Sequence, residues 1–309
     1  MNHEVSALTK SFGVVVAAAE RETVANIDLD EVIKLYQKDG AVILRGFNIG
    51  RQDFVLFTNR ILSPVQHPLR VPYDNDKVFR EQIVYDEDPT RSGRPRWLHA
   101  EASDTGVELD MCCFLCETPA FTGGETTLGD GIEILGNLPQ ETRDAFAGKQ
   151  VAYAFEFSEE EWHSFFRTSS RTEVEGILAQ FTSLRWQFYK TGGLQVVHAG
   201  RAIASTRYGE RSAFVNAIPE YLRAMDEETG APGGGIQRRH PLMTFEDGSP
   251  LTDAIARDVV TVCNSCEYPL HWNVGDLAII DNSRILQGRR AWPTQYNRVV
   301  HARFGTPLF

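Results

Sequence analysis

The stretch RWLHAEAS, residues 96–103, sets an imidazole and a carboxylate two positions apart, His99 and Glu101. On an extended chain the side chains at i and i+2 share a face. At a strand end such a pair can grip one divalent cation. Taken alone, H-x-E is a weak signal, because the pair often arises by chance. Its surroundings decide what it means.

Downstream, LDMCCFLCE (109–117) reads as a strand and runs into the turn TPAFTGGET (118–126). DGIEILGNLPQETRDAFAG (130–148) reads as helix, turn, helix. Ser158 with Glu161 forms a capping box for EEWHSFFRT (160–168), and RTEVEGILAQF (171–181) follows as a further helix. From about residue 185 short strands dominate: LQVVHA, AIAST, SAFVNAI, VVTVCNS, YPLHW, DLAIIDN and NRVVHARF. GAPGGGI (230–236) reads as a flexible loop over a site.

Upstream, Asp30 is placed to cap the helix EVIKLYQKD, which stops at Gly40. AVILRGF (41–47) is a buried strand, and RQDFVLFTNRIL (51–62) has helical spacing at Phe54, Phe57 and Ile61. Residues 63–98 are polar and rich in Pro, Asp and Arg, hence loop-dominated. Many short strands with turns between them and helices set in on one side predict an α+β protein: a double-stranded β-helix (jelly-roll) core with helical decoration. Strand–helix alternation is missing, which argues against a doubly wound parallel sheet. The expected organisation is one domain over 1–309. It has a helical and strand section at about 25–65, a core at about 95–305 and inserted helices at about 130–185.

The 309 residues are 42% hydrophobic and 24% charged, ordinary for a globular protein, with net charge −11. That acidity argues against a nucleic-acid groove. No run reaches the roughly 18–20 apolar residues of a membrane span, and MNHEVSALTK lacks the layout of a signal peptide. The expected location is the cytoplasm. The sequence spells out no oligomeric state. Five cysteines form two C-x-x-C pairs, Cys113/Cys116 and Cys263/Cys266, beside Cys112. A four-thiolate site is conceivable, but the pairs lie about 150 residues apart, far from zinc-ribbon spacing. In the apolar MCCFLC, cysteine reads better as a small hydrophobe.

Several motifs stand in a recognisable order: AVILRGF, RWLHAEAS, TPAFTGGETTLGD, WHSFFRTSSRTEVEGIL, RYGERSAFVNAI, HWNVGDLAIIDNSRILQGRR and NRVVHARF. Together they resemble the Fe(II)/2-oxoglutarate dioxygenases of the taurine dioxygenase and clavaminate synthase-like superfamily, over roughly residues 35–305. The H-x-E form is similar to the syringomycin-pathway hydroxylase branch. The resemblance implies Fe(II) and 2-oxoglutarate as cofactors, with His99 and Glu101 as the first two metal ligands. It also implies Thr126 as the hydroxyl that helps hold 2-oxoglutarate, and Arg298 as the arginine on its distal carboxylate. A guanidinium suits that task, since it meets a carboxylate through two parallel hydrogen bonds and keeps its charge. Arg289 is expected to be structural or near the substrate.

One position departs from the family pattern. Its distal histidine falls on Gln287, eleven residues before Arg298. An amide oxygen is neutral, like imidazole, but is a harder and weaker donor to Fe(II). Three outcomes stand open: Gln287 ligates the metal, directly or through water; another histidine (His198, His271 or His301) replaces it; or the metal chemistry is gone. The resemblance thus implies an oxygenase of the EC 1.14.11 type with an atypical His/Glu/Gln site. Its substrate would be a small, amino-acid-like metabolite of specialised metabolism, free or tethered to a carrier protein. The alternative is a repurposed dioxygenase fold that catalyses a non-redox reaction or only binds a ligand. Arg94, Arg96, Arg201 and Arg207 are candidates for an anionic group of a substrate.

Overall fold

The computed structural model describes residues 3–20, 22–65, 84–86, 93–227 and 241–309. The predicted loop at 230–236, His67 and His240 lie outside them. The chain begins with β1 (Glu4–Ala7), β2 (Val14–Ala17), α1 (Leu29–Asp39), β3 (Ala41–Arg45), α2 (Arg51–Thr58), β4 (Leu62–Pro64) and β5 (Tyr85–Asp86). Next come β6 (Arg96–His99), β7 (Met111–Thr118), β8 (Thr126–Asp130), α3 (Gly131–Asn137), α4 (Gln140–Phe146), β9 (Gln150–Phe157), α5 (Glu159–Phe166), α6 (Arg171–Leu178), β10 (Leu184–Phe188) and β11 (Leu194–Arg201). The last third holds β12 (Ile203–Ser205), β13 (Ser212–Phe214), α7 (Ile218–Glu227), β14 (Leu242–Phe245), α8 (Asp253–Ser265), β15 (Tyr268–Leu270), β16 (Leu277–Asp281), β17 (Ile285–Arg289) and β18 (Val299–Pro307).

Two sheets form the jelly roll. The larger runs β1-β2-β3-β16-β7-β18-β4, with β5 also paired to β18; the smaller runs β15-β8-β17-β6. Pairing is antiparallel apart from β2 against β3. A third sheet, β10-β11-β9-β14, is carried by the inserted region.

The sequence of β7 shows why the layers stack as they do. All six residues of MCCFLC are buried. Met111, Cys113 and Leu115 join one core cluster with Tyr36, Phe54 and Phe57 of α1 and α2. Cys112, Phe114 and Cys116 point the other way, into a cluster with Leu128, Leu270 and Ile285 of the smaller sheet. The strand is therefore apolar on both faces, because helices cover one side and the second sheet covers the other. Each large aliphatic or aromatic side chain buried here contributes roughly 1.5–3 kcal/mol. The cysteines form no disulfide and are buried, and they serve as small apolar packing groups. The two C-x-x-C pairs lie in different clusters, Cys113 and Cys116 against Cys263 and Cys266, so no four-thiolate site forms.

Three local readings change. The cap of α1 is Asp28, which accepts from Glu31 N; Asp30 sits in the first turn, where its charge favours the helix N-terminus. Gly40 ends that helix in the left-handed region, φ 77°. VVTVCNS, expected as a strand, is the second half of α8. Thr252 caps that helix, and Val259, Val262 and Cys263 face the core at i, i+3 and i+4. The β-branched run misled, because helical periodicity outweighs β propensity once one face is buried. β1, β2, β8, β9, β14, β17 and α7 are among the elements not foreseen; β2 extends the larger sheet through its parallel partner β3. Among the described residues no helix is long and apolar enough to cross a membrane.

Candidate metal and co-substrate site

Alternation along the smaller sheet decides which side chains meet. On β17, Ile285 points into the core between the two sheets, and Leu286 points out toward α8 and the third sheet. Gln287 and Arg289 share the parity of Ile285 and so face inward. On β6, Leu98 packs outward, which turns His99 inward. On β8, Thr126 shares the parity of the inward Leu128. β17 lies between β6 and β8, with Gln287 opposite both His99 and Leu128, and Arg289 opposite Thr126. Residues far apart in sequence are thereby set on one face of one sheet.

The centre is buried: the side chains of His99 and Glu101 are 4% and 3% exposed. His99 Nδ1 lies 2.7 Å from the carbonyl of Trp97, which can only accept. Nδ1 therefore carries the proton and Nε2 keeps its lone pair. That Nε2 is 3.7 Å from Glu101 Oε2. Gln287 Nε2 lies 2.8 Å from both atoms. Glu101 is fixed through its backbone by Asn282, whose Oδ1 accepts from Glu101 N at 2.8 Å while Nδ2 donates to Glu101 O at 3.0 Å and to Leu109 O at 2.5 Å. Glu220, on α7, braces the other side. Its carboxylate accepts from Trp97 N and from Arg96 Nε, and stands 4.0 Å from His99 Nδ1.

A cation fits the pair. Donor distances near 2.1 Å are usual for small divalent ions, and twice that exceeds the 3.7 Å between Nε2 and Oε2. A third donor from Gln287 would have to be its oxygen, since the nitrogen has no lone pair to give. Among the described residues no third histidine, cysteine or acidic side chain joins His99 and Glu101 in a metal-binding group. None of the candidate replacements joins the pair. His301 Nε2 bonds Glu117 at 2.6 Å, and Arg51 with His301 holds that carboxyl at about 2. His271 is exposed. His198 sits on β11, stacked on Tyr153, and burial lowers its pKa against the pull of Asp104.

The residues expected to hold the co-substrate also meet. Arg298 Nη2 donates to Thr126 Oγ1 at 3.2 Å, and its Nε donates to Gly124 O at 2.6 Å. Trp272 Nε1 donates to the same hydroxyl at 2.9 Å. Arg298 is 5% exposed and stacks on the Trp292 ring; Arg289 stacks on it too and donates to Arg94 O at 3.0 Å. A buried guanidinium and a buried hydroxyl side by side suit a carboxylate. Gly124 makes the approach possible: its φ is +68°, and a Cβ there would stand 2.9 Å from Arg298 Cδ.

Of the other arginines, Arg96 is bound to Glu220 and Arg207 to Asp110, whereas Arg94 and Arg201 are exposed. Asn282, Glu220 and Trp272 were not foreseen. Asn282 stands in the DNS turn just before β17, which was visible; Glu220 is 121 residues from His99 and left no sequence signal.

A two-sheet jelly roll with an imidazole and a carboxylate converging on its inner face has the architecture of the double-stranded β-helix proteins. The chain belongs to the taurine catabolism dioxygenase TauD, TfdA family, whose pattern it matches over residues 4–303. It is similar to the dapdiamide synthesis protein DdaC of Enterobacter agglomerans: 20% identical over 293 residues, covering 91% of this chain and 85% of that protein. Three crystal structures share the fold. A taurine dioxygenase from Burkholderia xenovorans has a TM-score of 0.63 at 13% identity, covering 99% of this chain and 90% of that one. PvcB from Pseudomonas aeruginosa has 0.60 at 13%, covering 98% and 91%. AAD-2, in complex with Mn(II) and N-oxalylglycine, has 0.60 at 14%, covering all of both chains.

Proposed function

We propose that this chain is an Fe(II)- and 2-oxoglutarate-dependent oxygenase that oxidises a small, amino-acid-like metabolite, free or carrier-tethered, in specialised metabolism. One observation carries the reading: His99, with the Glu101 carboxylate 3.7 Å away, shares a buried sheet face with Thr126, which Arg298 contacts. His99 Nε2, the Glu101 carboxylate and the Gln287 amide oxygen would hold the iron. Thr126 and Arg298 would hold the distal carboxylate of 2-oxoglutarate. Bound iron would supply the oxidation itself, in which dioxygen and 2-oxoglutarate yield oxidised substrate, succinate and carbon dioxide. The protein's part is to fix the tautomer of His99, to hold Glu101 through Asn282, to orient both cofactors and to keep water from the centre. Family membership supports the class. Specialised metabolism is supported by DdaC, a dapdiamide synthesis protein, and by PvcB, described as an Fe, alpha-ketoglutarate dependent oxygenase from an isonitrile synthetic pathway. Adding Fe(II) and 2-oxoglutarate without oxygen is expected to raise the weak visible charge-transfer band of this class, and oxygen is then expected to release succinate. Absence of both overturns the reading.

A second reading has its own observation. The Gln287 NH₂ donates to both acceptors, a closed set of hydrogen bonds that needs no cation. The pocket would then bind a carboxylate ligand or run a non-redox reaction. Undiminished 2-oxoglutarate binding in EDTA, with no metal uptake, favours it.

A further inference from the structure

We propose that the Gln287 amide has two exclusive working orientations, nitrogen inward to close His99 and Glu101 on each other, and oxygen inward as the third donor to a divalent cation, so that cation binding turns this one side chain over. The proposal rests on the metal site put forward above and adds to it how that site opens.

Both partners of the amide are acceptors. His99 Nε2 accepts because the group 2.8 Å from it is an NH₂, which can only donate, while Nδ1 donates to Trp97 O; a carboxylate oxygen also accepts. A group between two buried acceptors must donate or be cationic. The NH₂ has two hydrogens, one for each acceptor, and its nitrogen stands 2.8 Å from each. Turned over, the amide would set a third lone pair against the other two, which is repulsive unless positive charge lies between them. With a cation present the preference reverses, since three oxygen and nitrogen donors then converge on one charge. Glutamine is suited to this double role. Its NH₂ and C=O ends are nearly equal in shape, so a half-turn about Cγ–Cδ exchanges donor for acceptor with little change in packing. Packing matters, because Gln287 is 2% exposed and stands in register between His99 and Leu128. Histidine offers one nitrogen to the centre and would have to change tautomer or charge to do the same.

The consequence is a trade between stability and affinity. The closed arrangement satisfies two buried acceptors, and any cation must first displace those hydrogen bonds. Gln287→Glu separates the two effects, since a carboxylate cannot donate to Glu101 but is a stronger metal donor. In EDTA the variant is expected to melt about 5 °C below the native chain, and with saturating Zn(II) it is expected to melt above it. An unchanged melting temperature in EDTA overturns the proposal.

Nuclear magnetic resonance supplies the direct reading, on full-length protein with ¹⁵N-labelled glutamine. In EDTA one carboxamide pair, absent from Gln287→Met, is expected to show cross-relaxation to the His99 ring protons and to lose it when Zn(II) is added. Calorimetry on the same sample tells the failures apart. Zinc bound with the amide unmoved overturns this proposal alone, whereas no zinc bound overturns the metal site as well.

Discussion

Gln287 and His99 are register partners on adjacent antiparallel strands, and the amide nitrogen of one lies 2.8 Å from Nε2 of the other. The position at which a histidine was expected is thus within hydrogen-bonding reach of both His99 and Glu101. It occupies the inner face of β17, turned toward the two residues expected to hold metal.

Divalent cation binding should depend on His99 and Glu101 individually. His99→Ala or Glu101→Ala removes one of the two strong donors and is expected to weaken Mn(II) binding by at least about tenfold. Gln287→His adds an imidazole and is expected to tighten it. Titration followed by electron paramagnetic resonance measures all three. Equal affinity in the native chain and Gln287→His would mean that residue 287 does not present a donor to the metal.

The Arg298 pocket makes a separate prediction. Arg298→Lys keeps the charge but loses the planar fork and the Nε bond to Gly124 O. Losing a charge-assisted hydrogen bond costs about 1.5–3 kcal/mol, so 2-oxoglutarate affinity should fall roughly 10- to 100-fold. Gly124→Ala should lower it too, since the new Cβ meets Arg298 Cδ at 2.9 Å. It should also destabilise the fold by about 1–2 kcal/mol, the usual cost of a left-handed non-glycine residue. Isothermal titration and thermal melts check both variants.

Asn282→Ala leaves Glu101 N, Glu101 O and Leu109 O without the side chain that bonds them. The expected loss is roughly 2–4 kcal/mol, read by urea denaturation, together with weaker Mn(II) binding because Glu101 is no longer held.

Asp281 gives the pH dependence. Burial, with a smaller push from Asp110, raises its carboxyl from 3.8 to about 6 against the hydrogen bonds from Ser283. A raised carboxyl means that the folded state binds more protons than the unfolded one between those two values, so stability contributed by this group falls as pH rises from about 4 to about 6. Asp281→Asn keeps an oxygen for the Ser283 bonds and removes the titration. Relative to the native chain the variant should therefore gain stability across that interval, on the order of 2–3 kcal/mol in total. Denaturation midpoints at pH 4 and pH 7 test the sign.

Much of the site could be read in one dimension. The H-x-E pair, GGET and Arg298 lie in local motifs, and MCCFLC reads as an apolar strand, whereas ILQGR was not foreseen as one because all five of its residues are buried. The segment VVTVCNS shows where such reading slips: β-branched residues fit a strand locally, and only the buried stripe of Val259, Val262 and Cys263 makes them a helix. Glu220 and Asn282 were missed for a related reason, since each acts on a strand far from it in sequence.

By itself the sequence determined the jelly-roll class and named the candidate donors His99, Glu101 and Gln287, because chemistry and side-chain period are properties of short segments. What the amide at 287 faces was decided only by tertiary structure. Strand register places Gln287 opposite His99, and the Trp97 carbonyl fixes which imidazole nitrogen stays bare. Those are relations between segments 188 residues apart, and only the closing of the sheet brings them within hydrogen-bonding reach.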